Sequence, residues 1–311
     1  MRIFLKKISF YALLLIATYA MLLGIVAYST NYSRSLESYL FGNNEIWGST
    51  YQRSLDFEKW LGNPDKHQKM GLIIGSSTVY RNVDPFIFDT ATDLNWFNVG
   101  SSCQCVKTSF ELLKKAERTT HLSVVFLDLC PGLVTNNGYE GVTDWVINSS
   151  LSFTEEVGFL MSTEIDMKLI NQFLYRTIKR HIKSKEHFLP APTNGTYRGK
   201  GFVCSDVSAP LKNANGLPGN KFNMDIASIV GDIAAFCKQS NIRLIVNVAP
   251  GINTENETPV TPEGYVLINN DDFIKNDSLS YRHFYDKYHM TCDGSQAYSR
   301  SIVAKLSAQI K

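Results

Sequence analysis

Residues 70–81 read Met70-Gly71-Leu72-Ile73-Ile74-Gly75-Ser76-Ser77-Thr78-Val79-Tyr80-Arg81. Three branched apolar residues in a row, Leu72, Ile73 and Ile74, give way at once to Gly75-Ser76-Ser77. A short apolar run ending in small polar residues is the pattern of a strand buried on both faces, as in a parallel sheet. In open α/β sheets, ligands and chemistry collect outside the carboxyl ends of the strands. Ser77 is therefore a candidate nucleophile, and a base must come from elsewhere in the chain. Taken alone, Gly-Ser-Ser is an ordinary turn.

The downstream sequence keeps an alternating rhythm. Asp84 and Pro85 have the chemistry of an N-cap and first helical position for a helix over 86–90. A second strand over 95–99 ends in Gly100-Ser101-Ser102. A helix is predicted over 106–118, where Val106, Phe110 and Leu113 keep helical spacing and Lys114, Lys115 and Arg118 lie near the C-terminal end. Residues 122–129 are apolar on both faces and predict a central third strand, stopped by Cys130-Pro131-Gly132. The rhythm then breaks. A long helix is expected near 155–185, followed by a stretch rich in Gly, Pro and Asn over 190–219. We read about 133–220 as an insertion forming a lid or rim.

Alternation resumes with a helix over 222–240, a strand over 242–248 ending at Ala249-Pro250-Gly251, and a fifth strand near 264–268. The last helix is expected to start at Asp293, with Gln296 completing a capping box and Tyr298, Ile302, Leu306 and Ile310 on one face. Strand–helix alternation at this spacing predicts a three-layer α/β/α sandwich with a parallel sheet. Right-handed crossovers would bring Ser77, Gly100, Asp128 and the Pro250 loop to one edge.

The N-terminus has a different character. Arg2, Lys6 and Lys7 precede 21 residues, 8–28, without a charge. That is close to the ~20 residues a helix needs to cross a bilayer. The basic flank predicts a cytoplasmic N-terminus and an exported remainder. Signal-peptide apolar cores run to roughly 7–15 residues, so an uncleaved anchor is favoured over a cleaved leader ending near Ala27-Tyr28-Ser29. The expected organisation is a stub and anchor over 1–30, a membrane-proximal linker and helix over 31–69, and an α/β domain over 70–311. The expected localisation is the cytoplasmic (inner) membrane, single-pass, with the domain extracytoplasmic or periplasmic.

Composition narrows the partners. A hydrophobic share of 44% with 19% charged residues supports a real core, and a net charge of +2 gives no reason to expect nucleic acid. The one basic stretch, 176–185, reads first as a solvated helix face, with anionic polymer or lipid headgroups as the alternative. Six cysteines without a pair of Cys-x-x-Cys motifs make a zinc site improbable. Most are expected to be small buried residues, with one bridge permitted and its connectivity open. No metal and no cofactor is expected.

The missing base lies just before the final helix, where Asp286 and His289 are separated by two residues. In a turn, positions i and i+3 project to the same side. The carboxylate can then accept the Nδ1 proton, fix the tautomer and leave Nε2 to take a proton from a serine. An isolated Asp-x-x-His more often holds a turn histidine beside an exposed charge. The rival His283 has no Asp three residues upstream.

Taken together, the blocks resemble the SGNH (GDSL-like) hydrolase superfamily, in family order over about 70–311. Gly75-Ser76-Ser77 matches the nucleophile block, with Ser76 where many members have Asp. Asn98-Val99-Gly100 matches the block whose glycine N–H serves the oxyanion. Residues 124–129 fall where the third block belongs, and Asp286-x-x-His289 matches the last. The layout is similar to membrane-anchored members that transfer D-alanyl groups in teichoic acid modification or O-acetylate polysaccharides.

The resemblance implies a flavodoxin-like sheet and a triad of Ser77, Asp286 and His289. It implies an oxyanion hole from the N–H groups of Ser77 and Gly100. The family's third-block asparagine is absent and Asp128 occupies its neighbourhood, where an ionised carboxylate would oppose an oxyanion. Ser102, Asn136 and Asn137 are the candidate replacement donors. The implied function is a serine esterase or O-acyltransferase that works through an acyl-serine. Its implied partners are an acyl donor, an envelope glycan or glycolipid acceptor, and a membrane acyltransferase. The alternative is a catalytically weak module that binds envelope polysaccharide or scaffolds an acylation complex.

Overall fold

The computed structural model describes residues 1–29, 45–63, 65, 68–148, 151–163, 165, 167–182, 195–205, 210–212, 222–223, 226–250, 252–253, 265–270, 273 and 280–310. Two helices come first, α1 (Arg2–Ser29) and α2 (Glu45–Leu61). Then follow β1 (Met70–Ile74), α3 (Ser77–Asn82), α4 (Pro85–Ala91), β2 (Asn95–Asn98), α5 (Val106–Thr119) and β3 (Leu122–Leu129). The middle of the chain supplies α6 (Pro131–Thr135), α7 (Tyr139–Asn148), α8 (Phe153–Met161), α9 (Met167–Ile182), β4 (Gly195–Gly199), β5 (Phe202–Ser205) and β6 (Phe222–Asn223). It closes with α10 (Ile226–Gln239), β7 (Arg243–Val248), β8 (Ile252–Asn253), β9 (Tyr265–Asn269) and α11 (Cys292–Ile310).

Five strands make one parallel sheet in the order β2-β1-β3-β7-β9. Counted along this sheet alone the order is 2-1-3-4-5, that of flavodoxin-type doubly wound sheets. The direction of winding reverses between β1 and β3, so the crevice at their carboxyl ends is where a ligand belongs. Central β3 is buried almost throughout, which explains its apolar character on both faces.

Each face of the sheet carries its own core. On one side Leu72, Ile74, Val125 and Leu127 pack with Leu112 and Leu113 of α5, Trp145 of α7 and Val230 of α10. On the other, Ile73, Phe126 and Ile245 pack with Val79 of α3, Phe88 of α4 and Tyr298 and Ile302 of α11. Phe57, Trp60 and Leu61 join the first cluster, so α2 is part of the domain's packing as well as its approach to the membrane helix.

Three sequence expectations change here. The single helix over 155–185 is two helices, α8 and α9, with Ser162 and Thr163 turning between them, and α7 precedes them. A capping box of Ser152 and Glu155 starts α8. The last helix begins one residue earlier than expected. Thr291 caps it, its Oγ1 accepting from Gly294 N at 3.1 Å in place of the Asp293–Gln296 pair.

The third change concerns the insertion, whose described hairpin β4–β5 covers the free edge of β2. Asn98 N donates to Lys200 O at 2.9 Å, and Lys200 Nζ reaches Asn95 Oδ1 at 2.8 Å. Gly201 makes the approach possible: its φ is +83°, and a Cβ there would lie 1.7 Å from Asn98 O. The hairpin also packs on α3, while most of 190–219 lies outside the described residues.

Candidate active site

β1 ends at Ile74, and two residues later the chain turns into α3, with Ser76 as N-cap and Ser77 as the first helical residue. This places Ser77 at the sheet's carboxyl edge beside the crevice between β1 and β3. The loop after β2 lies against α3. A Cβ on Gly100 would meet Val79 Cγ1 at 2.2 Å and Ser76 O at 2.9 Å, so only glycine lets the two segments touch.

The segment before α11 completes the group. His289 Nε2 lies 2.9 Å from Ser77 Oγ, and His289 Nδ1 lies 2.8 Å from Asp286 Oδ2. The other carboxylate oxygen, Asp286 Oδ1, accepts from the backbone N–H of Tyr288 at 2.8 Å and of His289 at 2.7 Å. The carboxylate thus builds the turn that presents the imidazole. Burial of Asp286 disfavours its charge, but the hydrogen bond and charge of His289 and the two backbone donors outweigh it, so its pKa falls below the usual value. The Tyr285 ring stacks on the imidazole with centroids 5.9 Å apart.

Sequence reasoning missed the residue that locks this turn to the serine helix. Asn82, the last residue of α3, donates through Nδ2 to Tyr288 O at 2.9 Å and accepts at Oδ1 from Met290 N at 2.9 Å. It grips the backbone on both sides of His289. An asparagine at a helix end has many uses, and no local pattern reveals a partner more than 200 positions away. Arg53 of α2 was also unforeseen. It is fully buried, stacks on the Tyr80 ring at 4.5 Å and donates to Gly100 O.

Asp128 faces neither solvent nor an oxyanion. Its Oδ2 accepts from Thr78 Oγ1 at 3.2 Å and its Oδ1 from Asn247 Nδ2 at 2.5 Å. Asn247 continues the network to the Tyr298 hydroxyl at 3.1 Å and to Asn270, which accepts at Oδ1 from Lys305 at 2.8 Å. Burial pushes the Asp128 carboxyl up to about 6 despite the donors from Asn247 and Thr78. Its role is to hold Thr78, and hence the start of α3, against the sheet.

The oxyanion donors expected at Gly100 and Ser102 are both engaged. Gly100 N donates to Asn98 Oδ1 at 3.0 Å, while Asn98 Nδ2 serves Val79 O and Val83 O. Ser102 N points to Asp144 Oδ2 at 3.4 Å, and its hydroxyl lies 3.4 Å from the Tyr80 hydroxyl. Asn136 and Asn137 lie after α6, where Asn137 Oδ1 accepts from Tyr139 N at 3.0 Å and its carbonyl from Thr163. The Ser77 N–H lies in the first turn of α3, where backbone donors have no intrahelical acceptor.

One disulfide, Cys204–Cys292, ties β5 to the first residue of α11, three residues beyond His289. Cys105, Cys130 and Cys237 are buried free thiols and Cys103 is half-buried, in line with the reading of most cysteines as small core residues. Among the described residues no three or more His, Cys, Asp or Glu side chains converge as a metal site would require.

Chemically, the arrangement can move a proton from a serine hydroxyl to an imidazole whose tautomer is fixed by a carboxylate. No protein-family model matches this sequence, and no curated protein is significantly similar to it.

Proposed function

We propose that this protein is a membrane-anchored serine esterase or O-acyltransferase of the SGNH type, acting on acyl esters of cell-envelope glycans or glycolipids. The observation that carries this reading is His289 held between Ser77 Oγ at 2.9 Å and Asp286 Oδ2 at 2.8 Å. Ser77 Oγ attacks the ester carbonyl as His289 Nε2 takes its proton. The tetrahedral intermediate collapses when the same imidazole protonates the departing alkoxide, leaving an acyl-serine. Water or a sugar hydroxyl, deprotonated by His289, then attacks the acyl-serine and regenerates Ser77. The Ser77 N–H, at the positive end of α3, stabilises the oxyanion.

The envelope part of the proposal rests on α1. Residues 3–29 form a helix of 27 residues containing an 18-residue window of mean hydropathy 2.2, long and apolar enough to cross a membrane. The N-terminal Arg2, Lys6 and Lys7 support a cytoplasmic stub with the sheet domain outside, in the inner membrane of the cell. An acyl donor, a glycan or glycolipid acceptor and a membrane acyltransferase are the corresponding partners.

A fluorophosphonate probe tests the chemistry directly. Full-length protein in detergent is expected to label at Ser77, and Ser77→Ala and His289→Ala to lose the label. Folded protein that stays unlabelled would sink the enzyme reading. It would favour a glycan-binding or scaffolding module instead, for which the engaged Gly100 N–H is the specific support.

A further inference from the structure

Among the described residues outside α1, exposed apolar side chains follow one another along α8 and into the start of α9. In α8, Phe153, Val157 and Met161 follow one another at i, i+4 and i+8, so they share a face. They are 67%, 39% and 68% exposed, and Ile165 in the connection to α9 and Met167, its first residue, are 50% and 66% exposed. The opposite face of α8 buries Phe159 and Glu156. The stripe is therefore surplus to the core. Soluble surfaces rarely gather large apolar side chains in this way without a partner.

What covers the stripe follows from its neighbour. α9 packs along α1, with Tyr19 Oη donating to Asn171 Oδ1 and with Leu23 and Ala27 of α1 buried. The Phe153 ring lies 6.1 Å from that of Phe173, which makes α8 and α9 one surface. Helix α1 is about 40 Å long at ~1.5 Å per residue, against ~30 Å of hydrocarbon. The charge-free residues 8–28 fill that core, with Lys6 and Lys7 at the inner headgroups. Tyr19, which α9 reaches through Asn171, then lies in the outer half of that span. Asn171 shares the level of Tyr19, and Met167, the first residue of α9, lies one turn before it.

We infer that α8 and the start of α9 form a lipid-docking face, embedded in the outer boundary of the bilayer beside α1. Interfacial amphipathic helices sink ~5–10 Å at the headgroup–acyl boundary with their apolar faces turned inward. In the sequence Glu164, Asp166 and Lys168 alternate with Ile165 and Met167, a pattern suited to the headgroup level rather than the hydrocarbon. The mutual Tyr19–Asn171 bond satisfies both polar groups where water is scarce. Arg176, Lys179, Arg180, Lys183 and Lys185 follow in the sequence, a polybasic run suited to anionic headgroups. This inference rests on the membrane-spanning reading of α1 and not on the serine chemistry.

The test uses the full chain in nanodiscs of phosphatidylethanolamine and phosphatidylglycerol doped with a phospholipid bearing a diazirine on its acyl chain. After photolysis, peptide mapping is expected to find adducts in α1 and in the peptide spanning 153–167, and none in α11 on the other face of the sheet. The double variant Phe153→Ser/Met161→Ser removes only exposed side chains. It is expected to lose the 153–167 adducts while keeping those in α1 and the Ser77 label. Adducts in α1 alone would overturn the docking face. So would crosslinks joining the 153–167 peptides of two chains in place of lipid adducts, because the stripe would then be covered by a second copy. Adducts in neither segment would overturn the spanning reading of α1 as well, and fluorophosphonate labelling would still report on Ser77 independently.

Discussion

Two side chains outside the Ser77–His289–Asp286 set shape the behaviour of the site. Asp128 is the first. In the unfolded chain it ionises near 3.8, whereas in the fold burial raises it to about 6. The native state therefore holds the proton more tightly, and stability is lost as pH rises from about 4 through about 6, by about 3 kcal/mol in all. Asp128→Asn keeps an acceptor for Asn247 and cannot ionise. Its melting temperature is expected to equal or exceed the wild type at pH 7.5 and to lack the wild type's gain on moving to pH 5. A melting profile that tracks the wild type at both pH values would refute this account. Asn82 is the second. Asn82→Ala removes both bonds to the backbone around His289, each worth about 1 kcal/mol. We expect slower Ser77 labelling with the fold intact by circular dichroism. Since His289 itself remains, raising the probe concentration should recover full labelling, which His289→Ala would not allow.

At the scale of elements, the strand–turn–helix units were legible because their signals are local. Apolar runs marked the β1, β2, β3, β7 and β9 strands within a residue or two, and Asp84-Pro85 marked α4, whose cap Asp84 Oδ1 accepts from Phe86 N at 2.9 Å. Asp286 and His289 were legible for the same reason, since one turn holds both. The break between α8 and α9 was not, because neither Gly nor Pro marks it; a serine cap and a polar link do so instead. The engagement of Gly100 N–H by Asn98 was also hidden: it depends on how a side chain folds back on its own loop. The pairing of Cys204 with Cys292, 88 residues apart, could not be read because six cysteines allow many connectivities. That bridge clamps the rim hairpin to the start of α11, next to the His289 turn. Cys204→Ala/Cys292→Ala is expected to cost about 2–4 kcal/mol of stability. It should slow Ser77 labelling as well, because β5 packs on α3. Unchanged labelling at a lowered melting temperature would make the bridge purely a stabiliser of the fold.

For the whole molecule, the decisive question is whether α1 belongs to the domain or to the membrane. Neither core cluster contains a residue of α1, although Leu23 and Ala27 are buried against the rest of the chain. The sheet and its two faces therefore owe their packing to residues 57–306, and α1 touches them through the flank of α9. Most of α1 has no protein to lie against: Leu13, Leu15, Ile16 and Met21 are each more than half exposed. Side chains of that size left in water would each forfeit about 1.5–3 kcal/mol relative to an apolar surrounding, a deficit that lipid removes. A chain lacking residues 1–29 should accordingly fold and keep the Ser77 label, with a melting temperature near that of the full chain in detergent. It should also self-associate on dilution from detergent, because deletion uncovers the α9 flank and leaves the α8 stripe without lipid. Light scattering with and without detergent measures this. A truncated chain that is monodisperse in plain buffer would deny the α8–α9 surface its apolar partner. One that is unfolded would make α1 a core element of the domain.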